Sequence, residues 1–220
     1  MKIIIIGPPN SGKGTQAQYI SKQYKIPQIS IGNMLRNIIK KDKKIGKYVK
    51  KRINNGKLVK NKIVISLIKK RIKKKDCKNG YLLDGFPRNL DQAKMMKLEK
   101  IKINYVIQLK ANTKTILNRA IGRKIHLKSG RIYHDVFNPP IKKNCDDITG
   151  ESLIVRKDDK INILKKRIIE YKKINKPLIL FFKKKQKKKK IILFTINSEK
   201  KIKLIKKKIK KFLEKKIIKF

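Results

Sequence analysis

The sequence predicts an α/β protein in which helices flank a parallel β-sheet. Four short apolar runs, of which the run 3–6 is entirely β-branched, are typical of buried parallel strands. Segments with helical spacing lie between these runs, and the alternation favours a parallel sheet with helices on both faces. A chain of 220 residues suits one core, with or without small inserted parts.

The individual elements follow from the positions of these runs. Strands are predicted at residues 3–6, 81–83, 105–109 and 191–196. Helices are predicted at residues 15–24, 62–74, 90–97 and 113–120. A last amphipathic helix, docked on the core, is predicted because apolar residues recur near helical spacing at Ile202, Ile205, Ile209, Phe212 and Ile217.

Two segments interrupt the alternation. Residues 30–59 indicate short helical pieces separated by Gly32, Gly46 and Gly56. Residues 122–159 are rich in Gly and Pro and favour turns and short strands. This second segment holds six of the chain's 14 acids, and such a concentration in so basic a chain indicates a separately folded insert; its acids are Asp135, Asp146, Asp147, Glu151, Asp158 and Asp159.

The chain is strongly basic, with 64 Lys and Arg against 14 Asp and Glu and a net charge of +50. Such a charge is typical of proteins that bind nucleic acid or anionic membranes. Here, however, Lys is spread along the whole chain beside abundant Ile and Asn, which indicates the coding bias of an AT-rich gene. The one Lys-rich run, 183–190, lacks interleaved aromatic residues and is predicted to be a solvated loop. We therefore expect no specific nucleic-acid partner.

The sequence also bears on location. No stretch approaches the roughly 18 apolar residues that a membrane-spanning helix needs, and we find no leader with a cleavage site. The two cysteines, Cys77 and Cys145, form no disulfide framework and no pair with metal-ligand spacing. We therefore expect a cytoplasmic protein without a membrane partner.

The strongest chemical signal is the segment 7–15, Gly-Pro-Pro-Asn-Ser-Gly-Lys-Gly-Thr, between the first predicted strand and the first predicted helix. In such a loop, backbone N–H groups face phosphate oxygens, and the helix N-terminus adds partial positive charge. Lys13 can reach the β- and γ-phosphates. Gly14 stands where the plain phosphate-loop pattern has Ser or Thr, and Thr15 follows it. The loop predicts nucleotide binding.

A second signal is Asp84-Gly85-Phe86-Pro87-Arg88, which follows the predicted strand at 81–83. The carboxyl ends of parallel strands are where α/β sheets bind ligands, so we expect Asp84 to lie close to the glycine-rich loop. There its carboxylate can hold a water of Mg²⁺. Arg88 can offer its planar fork to a phosphate.

Arginine is scarce in this Lys-rich chain and therefore informative. Its guanidinium presents five donors in a fork that matches phosphate, whereas Lys provides a point charge. Each arginine is a candidate for a position that needs the fork. The arginines are Arg36, Arg52, Arg71, Arg88, Arg119, Arg123, Arg131, Arg156 and Arg167.

Together these motifs resemble the adenylate kinase family, in its bacterial form with a long lid. The likeness runs from residue 1 to about residue 176 without an evident gap, and more loosely to residue 200. Besides the two motifs above, the matching segments are 28–36, 56–59, 91–93, 122–123, 129–134, 137–140, 156–159 and Arg167.

The resemblance implies a P-loop NTPase-like fold with its core at 1–29, 60–121 and 160–220. It implies a helical AMP-binding flap at 30–59 and a small β-rich lid at 122–159. The implied reaction, carried out by a monomer, is reversible phosphoryl transfer from Mg-ATP to AMP, which gives two ADP. Such a reaction needs placement and cations around the transferring group rather than a general base.

The resemblance also implies the binding residues. ATP is expected to contact Asn10, Ser11, Gly12, Lys13, Gly14, Thr15, Arg119, Arg123, Ile132, Tyr133 and Lys200. AMP is expected to contact Ile31, Arg36, Lys57, Leu58, Val59, Gly85, Phe86, Pro87, Arg88, Gln92, Arg156 and Arg167. The implied catalytic residues are Lys13, Asp84, Arg88, Arg123, Arg156 and Arg167, with Asp84 holding Mg²⁺ through water.

Members of this family hold the lid together either with zinc on four residues, mostly Cys, or with a polar network. The corresponding residues here are His126, Ser129, Asp146 and Thr149. A structural zinc site prefers thiolates and imidazoles, whereas these four side chains can satisfy one another's hydrogen bonds. We therefore expect a lid without zinc.

Seven residues depart from the family pattern. Asn10 replaces a usual Gly, Ile31 a usual Thr and Asn33 a usual Asp, and acids are common in the family at the positions of Asn61, Lys62, Ile161 and Asn162. Asn tolerates positive φ, so the loop can keep its shape. Two alternatives stay open, namely a kinase for UMP or CMP and a nucleic-acid-binding protein that reuses the fold. Gln92, whose amide can pair with the edge of adenine, and the long lid favour AMP.

Overall fold

The computed structural model describes residues 1–156 and 159–217. Its central sheet is parallel and has five strands in the order β2-β3-β1-β4-β7. The strands are β1 (Lys2–Ile6), β2 (Gln28–Ser30), β3 (Tyr81–Asp84), β4 (Tyr105–Lys110), β5 (Arg123–Ile125), β6 (Ile132–His134) and β7 (Ile192–Asn197). The predicted parallel α/β fold class is confirmed.

Helices flank this sheet. They are α1 (Lys13–Tyr24), α2 (Ile31–Lys41), α3 (Lys43–Asn54), α4 (Asn61–Ile72), α5 (Leu90–Leu98), α6 (Thr113–Asn118), α7 (Ile161–Lys187) and α8 (Ile202–Ile217), with a 3₁₀ turn at Lys75–Cys77. No helix within the described ranges combines the length and hydrophobicity that a bilayer crossing requires.

The central strand β1 is buried on both faces. Ile4 and Ile6 join a cluster that contains Phe182 of α7, and Ile3 and Ile5 join one that contains residues of α1 and α8. All four isoleucines are at most 4% exposed, and each contributes about 1.5–3 kcal/mol by burial. This strand therefore fixes the point from which the glycine-rich loop emerges.

The boundaries of several elements differ from the prediction. The strand β2 was missed because three residues carry too little periodicity. The helix α1 begins at Lys13 rather than at Thr15. Gly32 and Gly46 lie inside α2 and α3, so the prediction that they separate helical pieces was wrong. The break falls at Asp42, which is extended and whose carboxylate accepts from Ile45 N at 2.8 Å.

The prediction of a loop at 183–190 was also wrong, because α7 continues to Lys187. Its apolar stripe, with Leu178 and Phe182 buried, anchors the helix immediately before the Lys-rich run. Most of the run is solvent-exposed, as expected. A solvated charge run can therefore extend a helix whose core-facing side is already packed.

The helix α8 is present as predicted and buries Ile205 and Ile209, and also Leu213. Phe212 stacks on Phe194 of β7, with ring centroids 4.3 Å apart. The side chain of Ile217 lies outside the described part of the chain. Docking of α8 completes one face of the core.

The described residues of the segment 122–159 form short strands and turns, as predicted. Its strands β5 and β6 are antiparallel, and isolated bridges join Ile125 to Ile154 and Cys145 to Ser152. Lys157 and Asp158, which the sequence motifs include, lie outside the described residues.

Candidate active site

A cleft of about 860 Å³ opens at the carboxyl edge of the sheet. Its lining includes the loops after β1 and β3, the small sheet β5–β6 and the segment that joins β7 to α8, together with residues of β2, α2 and α7. All eleven residues predicted to contact ATP line this cleft, namely Asn10, Ser11, Gly12, Lys13, Gly14, Thr15, Arg119, Arg123, Ile132, Tyr133 and Lys200.

The glycine-rich loop presents free donors to the cleft. Gly12, the residue before α1, has φ 86° and provides no side-chain cap, so the first amides of the helix keep their N–H groups for a ligand. Lys13 Nζ donates to Gly7 O at 2.9 Å and to Pro8 O at 2.6 Å. Burial lowers the pKa of Lys13 to about 7, and Arg88, Arg167 and Arg123 act in the same direction, whereas Asp84 opposes them.

Asp84 lies at the end of β3, opposite Ile5 of β1, and lines the cleft. Its Oδ2 accepts a hydrogen bond from Gln28 Nε2 at 2.9 Å. Gln28, the first residue of β2, also lines the cleft; the sequence motif contained it, but no role was predicted for it. A carboxylate fixed in this way, with the Thr15 hydroxyl in the same cleft, provides the oxygen donors that Mg²⁺ prefers beside phosphates.

The small sheet lies over the loop and over α2. A Cβ on Gly14 would collide with Cδ1 of Ile132, and a Cβ on Gly130 would collide with Nδ2 of Asn33. Gln18 Nε2 on α1 donates to Gly130 O at 3.2 Å. The cleft is therefore covered, and Gly14 in place of Ser or Thr leaves room for Ile132.

Arg88 is held in a defined orientation. Its Nε donates to Gly85 O at 2.9 Å, and its backbone N donates to Gln92 Oε1 at 2.7 Å. Gln92 Nε2 donates to Asn61 Oδ1 at 3.1 Å. Gln92 is only 2% exposed, so its amide positions the start of α5 and the Arg88 backbone.

The residues predicted to contact AMP divide into two groups. Those that line the large cleft, or a neighbouring cavity of about 100 Å³, are Arg36, Leu58, Gly85, Pro87, Arg88, Arg156 and Arg167. The others line neither: Ile31, Val59, Phe86 and Gln92 are buried and Lys57 is exposed. Phe86 belongs to the hydrophobic core.

Arginine marks the cleft, as its distribution suggested. Arg36, Arg88, Arg119, Arg123, Arg156 and Arg167 all line it. The remaining three make contacts within the protein: Arg71 pairs with Asp76 at 2.6 Å, Arg131 pairs with Asp146 at 2.5 Å, and Arg52 Nε donates to Leu58 O at 2.7 Å. The nine arginines thus divide into six that line the cleft and three that make contacts within the protein.

At the far end of the cleft, apolar and aromatic groups suit a nucleoside. Arg119 donates to Ser198 O at 2.7 Å, and its guanidinium lies 5.9 Å from the centre of the Phe137 ring. Val136, Phe137 and Leu204 line this part together with Lys200. Phe137 was part of a sequence motif, but sequence reasoning assigned it no role.

The four predicted lid residues make hydrogen bonds within a larger network. His126 Nδ1 lies 2.8 Å from Ser129 Oγ, and Thr149 Oγ1 donates to Asp146 Oδ2 at 2.9 Å. Tyr133 OH donates to Asp146 Oδ1 at 2.9 Å. The hydrogen bonds from the Arg131 guanidinium hold the pKa of Asp146 far below its usual range. The prediction missed Arg131 and also Glu151, whose Oε2 lies 2.5 Å from His126 Nε2.

Asp146→Asn is therefore expected to loosen residues 123–156 and to leave the central sheet intact, because a neutral amide cannot accept from Arg131, Tyr133 and Thr149 together. Hydrogen exchange should be faster in β5 and β6 and unchanged in β1 and β4. Asp135→Asn, which breaks only the exposed pair with Lys124, is the control. Equal exchange in wild type and D146N would contradict this role.

Comparisons with known proteins fit this geometry. The model of the family described as adenylate kinase matches residues 5–187. The chain is 54% identical over 209 residues to the adenylate kinase of Buchnera aphidicola subsp. Cinara cedri, covering 95% of each chain. It is 45% identical over 214 residues to that of Photorhabdus laumondii, covering 97% of this chain and 100% of the other. The adenylate kinase of Sodalis glossinidius is 44% identical over 202 residues, which cover 92% of this chain and 94% of its own length.

Proposed function

The chain belongs to the adenylate kinase family of nucleoside monophosphate kinases, and we propose that its cleft transfers the terminal phosphoryl group of Mg-ATP to AMP, which gives two ADP. The observation that carries this proposal is the convergence of Lys13, Arg88, Arg123, Arg156 and Arg167 on one covered cleft. Phosphoryl transfer needs such cations around the in-line oxygens.

Each element of the cleft has a part in this reaction. The amides of the glycine-rich loop and Lys13 bind the phosphates of ATP. Arg119, Ile132, Tyr133 and Lys200 surround the nucleoside of ATP, and Arg88 with Arg36 binds the phosphate of AMP. Arg123, Arg156 and Arg167 stabilise the negative charge on the transferring group. The Ile132 contact with Gly14 excludes water, since hydrolysis of ATP competes with transfer.

Mg²⁺ supplies charge neutralisation between the phosphates when it is bound with ATP. We propose that Asp84 holds it through water, with Gln28 fixing the carboxylate. Asn33 provides an amide oxygen where the family usually has an acid, and Arg36 NH2 donates to that oxygen at 2.6 Å. The neutral Asn33 therefore adds no negative charge beside Arg36.

The two inserts are proposed to be the mobile parts. Residues 30–59, which contain α2 and α3, form the AMP-binding flap, and residues 122–159 form the lid. The remaining residues, 1–29, 60–121 and 160–220, form the core. We propose that the lid is held by its polar network without zinc, and that the protein is a cytoplasmic monomer.

A coupled assay of ADP formation with AMP, UMP and CMP as acceptors tests the function. We expect AMP to be the preferred acceptor, with the long lid supporting this preference. A higher kcat/KM for UMP or CMP would contradict adenine selectivity while retaining the kinase class.

Elemental analysis of the purified protein tests the proposed lid. One equivalent of tightly held zinc would contradict a lid that is held by its polar network.

The high positive charge is proposed to attract polyanions only diffusely. Weak RNA binding that disappears as salt increases is expected, because diffuse contacts release counterions without a fixed geometry. RNA binding that persists at high salt, together with no ADP formation, would favour the nucleic-acid-binding alternative.

A further inference from the structure

Asn10 has a backbone conformation that a glycine could also adopt, but its side chain adds contacts that a glycine at this position would lack. It has φ 53°, in the left-handed region. Asn10 is only 8% exposed and lines the cleft. Its Oδ1 accepts a hydrogen bond from Arg123 NH1, whereas its Nδ2 is buried and has no hydrogen-bond partner among the described residues.

The contact between Asn10 and Arg123 connects the glycine-rich loop to the base of the small sheet. Arg123 is the first residue of β5, and its NH2 pairs with Asp159 Oδ2 at 2.6 Å. The Asp159 side chain is 1% exposed, so this end of Arg123 is anchored in the protein. Asn10 anchors the other nitrogen on the loop that binds phosphates.

An unpartnered buried amide costs free energy unless a ligand satisfies it. The cleft beside Asn10 is the place where the proposed function puts the phosphates of ATP, and phosphate oxygens accept strongly from amide N–H groups. Because Oδ1 is already held by Arg123, the amide cannot exchange its two ends without losing that bond. Nδ2 therefore remains the donor available to the ligand.

We propose that the Asn10 side chain binds a phosphate oxygen of the triphosphate through Nδ2 while its Oδ1 positions Arg123. This inference rests on the proposed function. It adds a side-chain contact and a positioning role at a residue whose resemblance-based ATP contact specified no role for the side chain. It makes Asn10 a determinant of triphosphate binding and of Arg123 geometry, without a part in binding AMP.

The test compares Asn10→Gly and Asn10→Asp with the wild-type protein. Calorimetry measures the binding of a non-hydrolysable ATP analogue in the presence of Mg²⁺ and, in a separate titration, the binding of AMP. Asn10→Gly retains the backbone geometry and removes both contacts, so the dissociation constant of the analogue should rise by about tenfold. That of AMP should change by less than about twofold. Asn10→Asp retains an acceptor for Arg123 but places a carboxylate at the phosphates, and the analogue should bind at least as weakly as to N10G.

The matched control is Asn144→Gly, which removes an exposed asparagine with φ 63° outside the cleft and should leave both constants unchanged. Asn10→Gly should also keep or raise the melting temperature, since Gly adopts positive φ freely. A lower melting temperature with unchanged analogue binding would assign Asn10 a structural role and overturn the proposal. Wild-type binding of the analogue by N10D would overturn the donor role.

A double-mutant cycle tests the positioning role. If Asn10 acts through Arg123, then Asn10→Gly should cost less in kcat when Arg123 is already Ala than in the wild-type background. Additive effects would overturn that part. Wild-type protein that binds the analogue but forms no ADP from ATP and AMP would contradict the proposed function instead, and the binding comparison would still decide the contact.

Discussion

Lys13→Ala is expected to lower the rate of phosphoryl transfer by at least about 100-fold while the fold remains intact. Lys13 Nζ lies within hydrogen-bond distance of Gly7 O and Pro8 O, so its amine is already positioned at the proposed phosphate site. The side chain makes no contribution to the two large core clusters. The coupled ADP assay and the melting temperature measure the two effects.

A second readout follows from the pKa of Lys13, which burial lowers to about 7 in the free protein. Phosphate favours the charged form, so binding of a nucleotide raises this pKa. At a pH between the pKa of Lys13 in the free protein and its higher pKa in the complex, nucleotide binding should take up a proton. Calorimetry at about pH 8 in buffers of different ionisation enthalpy should detect this uptake in wild type and not in K13A.

Lys22→Ala is the matched control, because Lys22 is exposed in the last turn of α1, the helix that begins at Lys13. It changes the net charge equally and should retain wild-type activity and proton uptake. If K13A keeps even a tenth of wild-type activity, Lys13 does not have the role proposed here.

The sequence identified the parts of the fold that depend on strong local patterns. The run 3–6 is apolar throughout because β1 is buried on both faces, and such a run is recognisable without tertiary information. The strand β2 is recognisable only from its partner, since three residues have no periodicity and gain their order by pairing with β3. The helical state of Gly32 and Gly46 likewise depends on contacts, because a Cβ on Gly46 would lie 3.1 Å from Ile38 O in α2.

The candidate site likewise contains residues that local sequence patterns identify and residues that only long-range contacts identify. Lys13, Asp84 and Arg88 belong to motifs whose chemistry is evident from residue type and spacing, and they meet in the cleft. The residue type and position of Gln28 do not mark it as a site residue. Its contribution is a hydrogen bond to Asp84, which lies 56 positions further along the chain. Long-range partners of this kind are determined by the register of neighbouring strands, which the sequence alone does not reveal.

The contacts of Gln92 differ from the contact that its sequence motif predicted. The sequence favoured it as the residue that recognises adenine, but its amide is engaged by Arg88 N and Asn61 Oδ1. Selectivity for AMP therefore stays a prediction that the acceptor assay tests. The same hydrogen bonds make Gln92 a support for Arg88, which is the residue with the second large expected effect.

Arg88→Lys is expected to reduce kcat/KM for AMP by about 10- to 100-fold although the net charge is unchanged. Arg88 Nε donates to Gly85 O, which fixes the plane of the guanidinium, and we propose that the terminal nitrogens bind a phosphate in the cleft that Arg88 lines. Lysine has one terminal nitrogen, so it cannot keep the bond to Gly85 and bind a phosphate in two places. Kinetics with AMP varied at saturating ATP, and ATP binding measured separately, give the result.

Arg71→Lys provides the control for R88K, because Arg71 pairs with Asp76 and lines neither of the two cavities described above. It makes the same chemical change and should retain wild-type kcat/KM for AMP. In R88K, binding of the ATP analogue should change much less than kcat/KM for AMP, since the glycine-rich loop and Lys13 are untouched. An R88K enzyme with wild-type kinetics would mean that charge alone suffices at this position, and the proposed two-point contact between Arg88 and phosphate would have to be abandoned.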